Sequence, residues 1–213
     1  MIGASHYRLG GDRLAAGAGR FVADVSVDGM LHAAVLRSTH AHARLVSVDV
    51  ERALALPGVR LVLTSVDVPD VAVIPNRIGA PPGTERYLQP AIARGVVRYV
   101  GEPVALVVAD DRYVAEDALA LIDVVYDPLA VCASVAQALG PGAPLLFPGT
   151  ESNNVALIAM RNGDAAAALE KAALVIRERF VYPRQTAAAL ETRGLVAVPP
   201  EPGGGELHLI GST

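Results

Sequence analysis

The alternation of apolar and polar positions is clearest between residues 96 and 128. Pro103 to Ala109 (PVALVVA) is short, rich in β-branched residues and uncharged, which predicts a strand buried on both faces. Asp110-Asp111 then offers candidate helix N-caps. The apolar residues that follow recur at helical spacing, which predicts a helix lying on the sheet through Val114, Ala118, Leu121 and Ile122.

A second short strand is predicted directly after this helix. Asp123 to Tyr126 is β-rich, and Asp127-Pro128 should stop it because proline cannot donate to the next ladder hydrogen bond. The stretch is therefore predicted as strand, helix, strand. If its two strands lie parallel in one sheet, the crossover should be right-handed.

The same patterns predict further elements on both sides of this stretch. Before it, we expect an irregular glycine-rich lead-in over residues 1–20, then strands at Met30 to Ser38, Leu45 to Val50 and Arg60 to Thr64, with a short helix at Val50 to Leu56. After it, we expect a short helix or loop at Pro128 to Leu139, a helix at Ala165 to Ala173, and strands at Asn154 to Met160, Leu174 to Tyr182, Arg193 to Val198 and Glu206 to Ile210.

Proline and glycine mark the breaks between these elements. Pro75 to Pro90 is predicted as a long surface loop, and the cluster from Gly140 to Gly149 as the best domain boundary. The last strand should leave an unpaired edge before Thr213, which soluble chains normally avoid. We therefore expect more chain, or a partner, to cover it.

Composition excludes several classes of function. The 213 residues carry a net charge of -4 without a basic stripe, and aromatic residues make up only 4%, so nucleic-acid binding is not expected. No apolar run approaches the roughly 20 residues of a membrane span, and the N-terminus has no signal-peptide pattern. The single Cys132 cannot form an internal disulfide or hold a cluster, which fits a cytoplasmic location.

None of the candidate chemical groups forms a complete site. Gly17-Ala18-Gly19 lacks the preceding strand and third glycine of a nucleotide loop. His40 and His42 would point to the same side of an extended backbone, but zinc needs at least three protein ligands, so hydrogen-bonded structural histidines are the preferred interpretation over a metal pair. Ser38 beside them forms no triad. Glu102 is the most suggestive carboxylate, and we interpret it as a turn or strand-cap residue in preference to a base.

Several multi-residue motifs, taken together in their order, resemble one family. In the first half they are Arg8-Leu9, Gly17 to Asp24, Met30 to His32, Arg37 to Arg44 and Leu56 to Val59. They continue as Val97 to Ala105, Ala115 to Ala118, Tyr126 to Leu129, Gly163-Asp164 and Glu191 to Gly194. The chain resembles the N-terminal part of the molybdenum-binding large subunit of the xanthine dehydrogenase, aldehyde oxidase and aerobic carbon monoxide dehydrogenase family.

The resemblance implies an α+β fold with two domains. Residues 1–14 would be a lead-in segment, residues 15–143 an α/β hammerhead domain of mixed sheet and helices, and residues 144–213 the incomplete start of a molybdopterin-binding domain. Such enzymes hydroxylate a carbon centre or oxidise carbon monoxide at a molybdenum centre held by a pterin. The implied partners are the rest of the large subunit, an iron–sulfur subunit and an FAD subunit, with no nucleic acid and no membrane.

The resemblance carries no catalytic residue and no metal ligand onto this sequence. Ser212 and Thr213 would at best lie next to the expected cofactor site, so this chain alone should bind no cofactor and be inactive. Its role would be to scaffold the cofactor-bearing domains. The alternative is a non-catalytic, stand-alone binding or assembly module that uses the edge at Leu207 to Ile210. The substrate stays open among carbon monoxide, aldehydes, purines and other N-heterocycles.

Overall fold

The computed structural model describes residues 2–70, 73–75, 81–200, 202 and 204–212. Within them the helices are α1 (Gly11–Ala15), α2 (Glu51–Leu54), α3 (Arg112–Leu119), α4 (Val135–Ala138) and α5 (Ala165–Glu170), with 3₁₀ turns at Val22–Asp24 and Thr84–Tyr87. The strands are β1 (His32–Arg37), β2 (Ala43–Asp49), β3 (Val59–Leu63), β4 (Val73–Ile74), β5 (Gln89–Pro90), β6 (Val96–Val97), β7 (Pro103–Ala109), β8 (Asp123–Pro128), β9 (Gly194–Val198) and β10 (His208–Ser212). The α+β class predicted from the sequence is confirmed.

The elements divide into two compact units, which are described separately. One unit comprises Met30–Asp164, and the other combines Met1–Gly29 with Ala165–Thr213. No helix in the described ranges has the length and apolar character needed to cross a bilayer.

Strand β7 is the centre of the larger unit and runs over the residues predicted for it. It lies between β1 and β3 and pairs antiparallel with both. Ala105, Val107 and Ala109 are fully buried on one side of this strand, and α3 covers them through Ala115 and Ala118. Leu106 and Val108 on the other side of the strand are only half-buried, so the predicted burial on both faces is met in part.

Helix α3 begins where the sequence indicated. The N-cap is Asp111, whose carboxylate accepts a hydrogen bond from the backbone N–H of Tyr113 at 2.7 Å. The helix ends at Leu119, so Leu121 and Ile122 lie beyond it, although Ile122 still packs into the core. The predicted helical face is therefore one turn shorter than expected.

The second sheet of this unit has the order β6-β2-β8 and is antiparallel. Its inner face packs around Ala43, Ala93, Val97 and Val104. Strand β8 continues through Pro128, which pairs with Ala43 as the last residue of the ladder. Pro128 is thus the last residue of the strand, and it is also the residue that stops the strand.

The parallel arrangement considered for β7 and β8 is not found, because the two strands belong to different sheets. The physical reason is that both edges of β7 are already occupied, by β1 and by β3. No position beside β7 is left for β8, which pairs with β2 instead.

The predicted surface loop from Pro75 to Pro90 contains more structure than the sequence indicated. Its described part includes a 3₁₀ turn at Thr84–Tyr87 and the strand β5, which pairs with β4. The part of this prediction that falls on residues 76–80 lies outside the described residues.

The smaller unit contains α1, α5 and a two-stranded antiparallel ribbon, β9–β10. The ribbon confirms the predicted antiparallel pair, with Val196 opposite Ile210, although β10 begins and ends two residues later than predicted. The lead-in expected to be irregular forms the short helix α1. Helix α5 ends at Glu170, three residues before the predicted end.

Two predicted strands were wrong. Asn154 to Met160 and Leu174 to Tyr182 carry no strand in the described chain. Their apolar side chains are largely in solvent; Met160 is 91% exposed and Tyr182 88%. A strand needs a neighbour to accept and donate its ladder hydrogen bonds. Neither segment has such a neighbour among the described residues, so the β-rich composition alone does not produce a strand.

Candidate functional site

Two of the motifs singled out in the sequence meet at the start of β7. The N–H of Ser38 donates to the carbonyl of Glu102 at 2.8 Å, and the N–H of Gly101 donates to the carbonyl of Ser38 at 2.8 Å. Gly101 adopts a φ of 96°, a left-handed conformation that a side chain would strain. We call Ser38, Arg98, Gly101 and Glu102 the Glu102 junction.

The carboxylate of Glu102 is enclosed at this junction. Glu102 is fully buried, and the side chain of Arg98 is only 13% exposed. One carboxylate oxygen accepts a hydrogen bond from the backbone N–H of Arg98, and the other from its guanidinium Nη1 at 3.3 Å. Both oxygens are thus occupied by one residue, and no solvent path reaches them. This geometry fits the strand-cap interpretation of Glu102, because a general base must reach a substrate proton.

The neighbouring Ser38 contacts the backbone of His40, not its ring. The hydroxyl of Ser38 accepts from the His40 N–H at 3.0 Å and donates to the His40 carbonyl at 2.9 Å. Because the nucleophile–base contact of a triad is missing, this serine has no activated hydroxyl.

The two histidines are separately engaged in structure. The ring of His40 stacks on Tyr126 at a centroid distance of 4.4 Å. His42 places Nδ1 2.7 Å from the carbonyl of Ala130, and since a carbonyl can only accept, Nδ1 must carry the proton. Burial raises the pKa of the Tyr126 phenol, and its hydrogen bond with Ser38 opposes that shift.

A second pair of motifs meets in the smaller unit, at what we call the Glu191 junction. The N–H of Val22 donates to the carboxylate of Glu191 at 2.9 Å. A Cβ on Gly194 would lie 3.0 Å from the side chain of Val22, so glycine permits this close packing. Gly194 pairs across the ribbon with Ser212.

Through this pairing, the Glu191 junction contacts Ser212, which is one of the two residues predicted to lie next to the cofactor site. Ser212 is the last residue of β10, and its predicted companion, Thr213, lies outside the described residues. Next to it, a Cβ on Gly211 would come within 2.9 Å of Leu195, so the ribbon closes tightly here.

The described part of the chain offers no cluster of metal ligands, and its two-stranded ribbon is largely open to solvent. Within the described ranges, no three His, Cys, Asp or Glu side chains come together as metal ligands. The ribbon that carries Ser212 has only two strands and is exposed along most of β10.

One cluster was missed by the sequence reasoning. The guanidinium of Arg98 lies 4.7 Å from the centre of the Phe147 ring, and the Tyr87 ring meets the same ring edge-on at 5.7 Å. Tyr87 falls in the predicted surface loop and Phe147 in the predicted domain boundary. The available signal was the presence of scarce aromatic residues in two proline-rich and glycine-rich stretches, since the chain has only three phenylalanines.

The residues of both junctions lie within stretches that match models of known protein families. A family model described as the a/b hammerhead domain of aldehyde oxidase and xanthine dehydrogenase matches residues 16–130, and a model described as a molybdopterin cofactor-binding domain matches residues 146–213.

Individual relatives align along nearly the whole chain. The chain is 38% identical to the 6-hydroxypseudooxynicotine dehydrogenase complex subunit gamma of Paenarthrobacter nicotinovorans, over 99% of this chain and 27% of that protein. It is 35% identical to the carbon monoxide dehydrogenase large chain of Afipia carboxidovorans, over 92% of this chain and 25% of that protein.

A solved structure agrees with these matches. The crystal structure of quinoline 2-oxidoreductase from Pseudomonas putida 86 superposes with a TM-score of 0.76 at 40% identity, over 92% of this chain and 25% of that one. The chain spans about a quarter of the length of all three relatives.

Proposed function

This chain belongs to the aldehyde oxidase and xanthine dehydrogenase family and corresponds to the N-terminal part of its molybdenum-binding large subunit, and we propose that it acts there as a scaffold. In this proposal the chain covers and orients the cofactor-bearing domains and offers surface to the other subunits. The catalytic groups are supplied by other polypeptide.

The observation that carries the proposal is the order of the two family matches. A hammerhead match over residues 16–130 precedes a molybdopterin-binding match over residues 146–213. The chemistry of the described residues supports the scaffold role, because the buried carboxylate of Glu102 is occupied by Arg98 and the hydroxyl of Ser38 by backbone groups. A poised acid, base or nucleophile would need a free contact in a pocket.

We assign the domain limits as residues 1–14 for the lead-in, 15–143 for the hammerhead domain and 144–213 for the first part of the molybdopterin-binding domain. The complete enzyme would hold a molybdenum–molybdopterin cofactor, with this chain placing Ser212 and Thr213 beside it and supplying no metal ligand. Its partners would be the rest of the large subunit, an iron–sulfur subunit and an FAD subunit. One free cysteine and no disulfide fit a cytoplasmic location.

The proposal stops at the reaction class, which is molybdenum-dependent oxidation. The relatives are named for a hydroxypseudooxynicotine, for carbon monoxide and for quinoline, yet they match this region at 35–40% identity. Similar identity to proteins with such different substrates supports a shared scaffold here, with substrate choice made by other parts of the enzyme.

Reconstitution tests this proposal directly. The part of the large subunit that corresponds to the remaining three quarters of the relatives is expressed with its partner subunits, with or without this chain supplied as a separate polypeptide. We expect molybdenum content and substrate oxidation only when this chain is present. Well-folded assemblies that contain the chain but stay metal-free and inactive would count against the proposal.

One observation favours the alternative of a stand-alone binding module. Leu207 and Leu209 are 58% and 59% exposed along the edge of the ribbon, where an added strand from a partner could pair. The reconstitution separates the two functions. A module would bind a partner through this edge without restoring molybdenum to the assembly.

A further inference from the structure

Within the larger unit, the first residues of the molybdopterin-binding match are fastened to residues of the hammerhead match at two points. The guanidinium of Arg98 covers the ring of Phe147 at 4.7 Å, and the hydroxyl of Tyr87 donates to the carbonyl of Ser152 at 2.9 Å. Tyr87 also meets Phe147 edge-on. Two residues from one part of the chain thus hold both ends of the short stretch from Phe147 to Ser152.

A single asparagine closes the same stretch into a loop. The Nδ2 of Asn153 donates to the carbonyls of Ala138 and Pro144, each at 3.0 Å, and its Oδ1 accepts from the N–H of Leu146 at 3.0 Å. The loop is therefore ordered by its own contacts as well as by Arg98 and Tyr87. We call Tyr87, Arg98, Phe147, Ser152 and Asn153 the clasp.

Arg98 itself is tied to the core through Glu102, the residue before the central strand β7. Its Nε has no hydrogen-bond partner in the described part of the chain, and a buried unmade hydrogen bond is unfavourable. A buried ion pair can often be replaced by apolar residues without loss of stability. Besides a hydrogen bond from Nη1 to the Val96 carbonyl at 3.1 Å, arginine adds at this position a cation over the Phe147 ring, which an apolar residue would not supply.

We propose that Arg98 is a positioning residue whose contact with Phe147 fixes the first residues of the molybdopterin-binding match against the hammerhead match that precedes them. The role of that segment in binding molybdopterin rests on the proposed function, whereas the contacts that Arg98 and Tyr87 make with it do not. Because the stretch from Phe147 to Ser152 is held at both ends, the chain that follows it can occupy fewer positions. This restriction raises the effective concentration of the following chain at its assembly site, which favours productive assembly.

Amide hydrogen exchange on the full 213-residue chain tests the fastening. The main variant combines Arg98→Met with Glu102→Gln, so that no charge is left buried without a partner. Phe147→Leu removes the ring from the other side, and Phe147→Trp restores an aromatic face. Phe180→Leu is the matched control, because Phe180 is 80% exposed.

The reporters are the amides of Leu146 and Thr150, which donate inside the loop, and that of Val107 in the core of β7. We expect exchange at Leu146 and Thr150 to become about tenfold faster in the double variant and in Phe147→Leu, the order of effect expected for losing a desolvated cation–π contact. Val107 should be accelerated less than the loop amides in the double variant and should be unchanged in Phe147→Leu, and Phe147→Trp and the Phe180→Leu control should exchange like the parent. Unchanged loop amides, or equal acceleration at Val107, would overturn the proposal.

A second readout separates this inference from the proposed function. The same variants are placed in the complete large subunit, and bound molybdopterin is measured after gel filtration. The positioning role predicts cofactor loss in Phe147→Leu and recovery in Phe147→Trp, while full retention in both overturns it. A parent subunit that holds no cofactor would instead overturn the proposed function, whatever the exchange data show.

Discussion

Arg60 and Asp110 form a two-point ion pair across the ends of β3 and β7, with Nε and Nη2 of the guanidinium 2.7 and 2.8 Å from the two carboxylate oxygens. The backbone N–H of Asp110 also donates to the carbonyl of Gly58 at 2.9 Å. The hydrogen bonds from Arg60 lower the pKa of the Asp110 carboxyl below its ordinary value. Protonation of the Asp110 carboxylate should therefore weaken the contact that holds the ends of β3 and β7 together.

The lowered pKa predicts a specific acid sensitivity. The folded state favours the charged carboxylate, so this stabilisation is present above the carboxyl group's unfolded pKa of about 4 and is lost as the pH falls through the lower folded value. Asp110→Asn should remove that part of the pH dependence, and Arg60→Met should remove the same part. Denaturant midpoints from pH 7 down to the acid limit measure it. Effects that simply add in the double variant would contradict the coupling.

The buried pair of Arg98 and Glu102 should respond much more strongly to substitution. Glu102→Leu leaves the guanidinium of Arg98 without its carboxylate partner and the backbone N–H of Arg98 without its acceptor, which should lower the free energy of unfolding by about 3–5 kcal/mol. Glu102→Gln keeps one acceptor oxygen and should cost about 1–3 kcal/mol. Urea denaturation of the chain measures both.

The control for that prediction is the exposed pair of Arg44 and Asp127, whose side chains are 61% and 49% exposed. Asp127→Asn should cost less than about 1 kcal/mol, because solvent screens this pair. Similar losses in Glu102→Leu and Asp127→Asn would show that burial does not govern the difference.

Tyr126 provides a prediction at the alkaline end. Burial raises its pKa, so the folded state favours the neutral phenol, and this contribution is complete below pH 10 and lost as the pH rises through the higher folded value. Tyr126→Phe keeps the ring that stacks on His40 and should remove the alkaline loss. Tyr182→Phe, which removes an exposed phenol, is the control. Ultraviolet titration of tyrosine alongside unfolding should show that Tyr126 ionises at a higher pH than an exposed tyrosine such as Tyr182.

The sequence predicted β7 to the residue because its composition suits only one environment. An uncharged β-branched run of seven residues, Pro103–Ala109, suits a central strand between two neighbours, and the helix that covers one of its faces begins at a recognisable cap, Asp111. Family motifs likewise indicated the α+β class, because they are several residues long and retain their order.

Contacts between distant positions could not be predicted in the same way. Tyr87 and Phe147 lie in stretches where composition indicates only loops, and nothing local pairs them with Arg98. The failure at Leu174 to Tyr182 has a different cause, because a strand exists only beside a partner. Alternating apolar residues indicate that a segment suits a sheet. They do not provide the neighbouring strand with which the segment must pair.

That failure leads to a last prediction, about residues 174–182. Ile176, Phe180 and Val181 are 73%, 80% and 76% exposed. Exposed apolar segments of this length usually mark an interaction surface. If the chain is part of a larger subunit, the remaining polypeptide should cover them. Their amides should exchange more slowly in the reconstituted subunit than in the chain alone, and binding of a hydrophobic dye should fall.

A matched pair of variants tests this covering. Val181→Asp places a charge in the segment, whereas Val66→Asp does the same at an equally apolar position that is 89% exposed in the larger unit. Neither should unfold the chain, because both side chains already lie in solvent. Val181→Asp should reduce the recovery of reconstituted subunit by about tenfold, since burying an unpaired charge is strongly unfavourable, and Val66→Asp should assemble like the parent. Equal recovery of the two variants would show that residues 174–182 stay in solvent within the complete subunit, and their apolar side chains would then need another explanation.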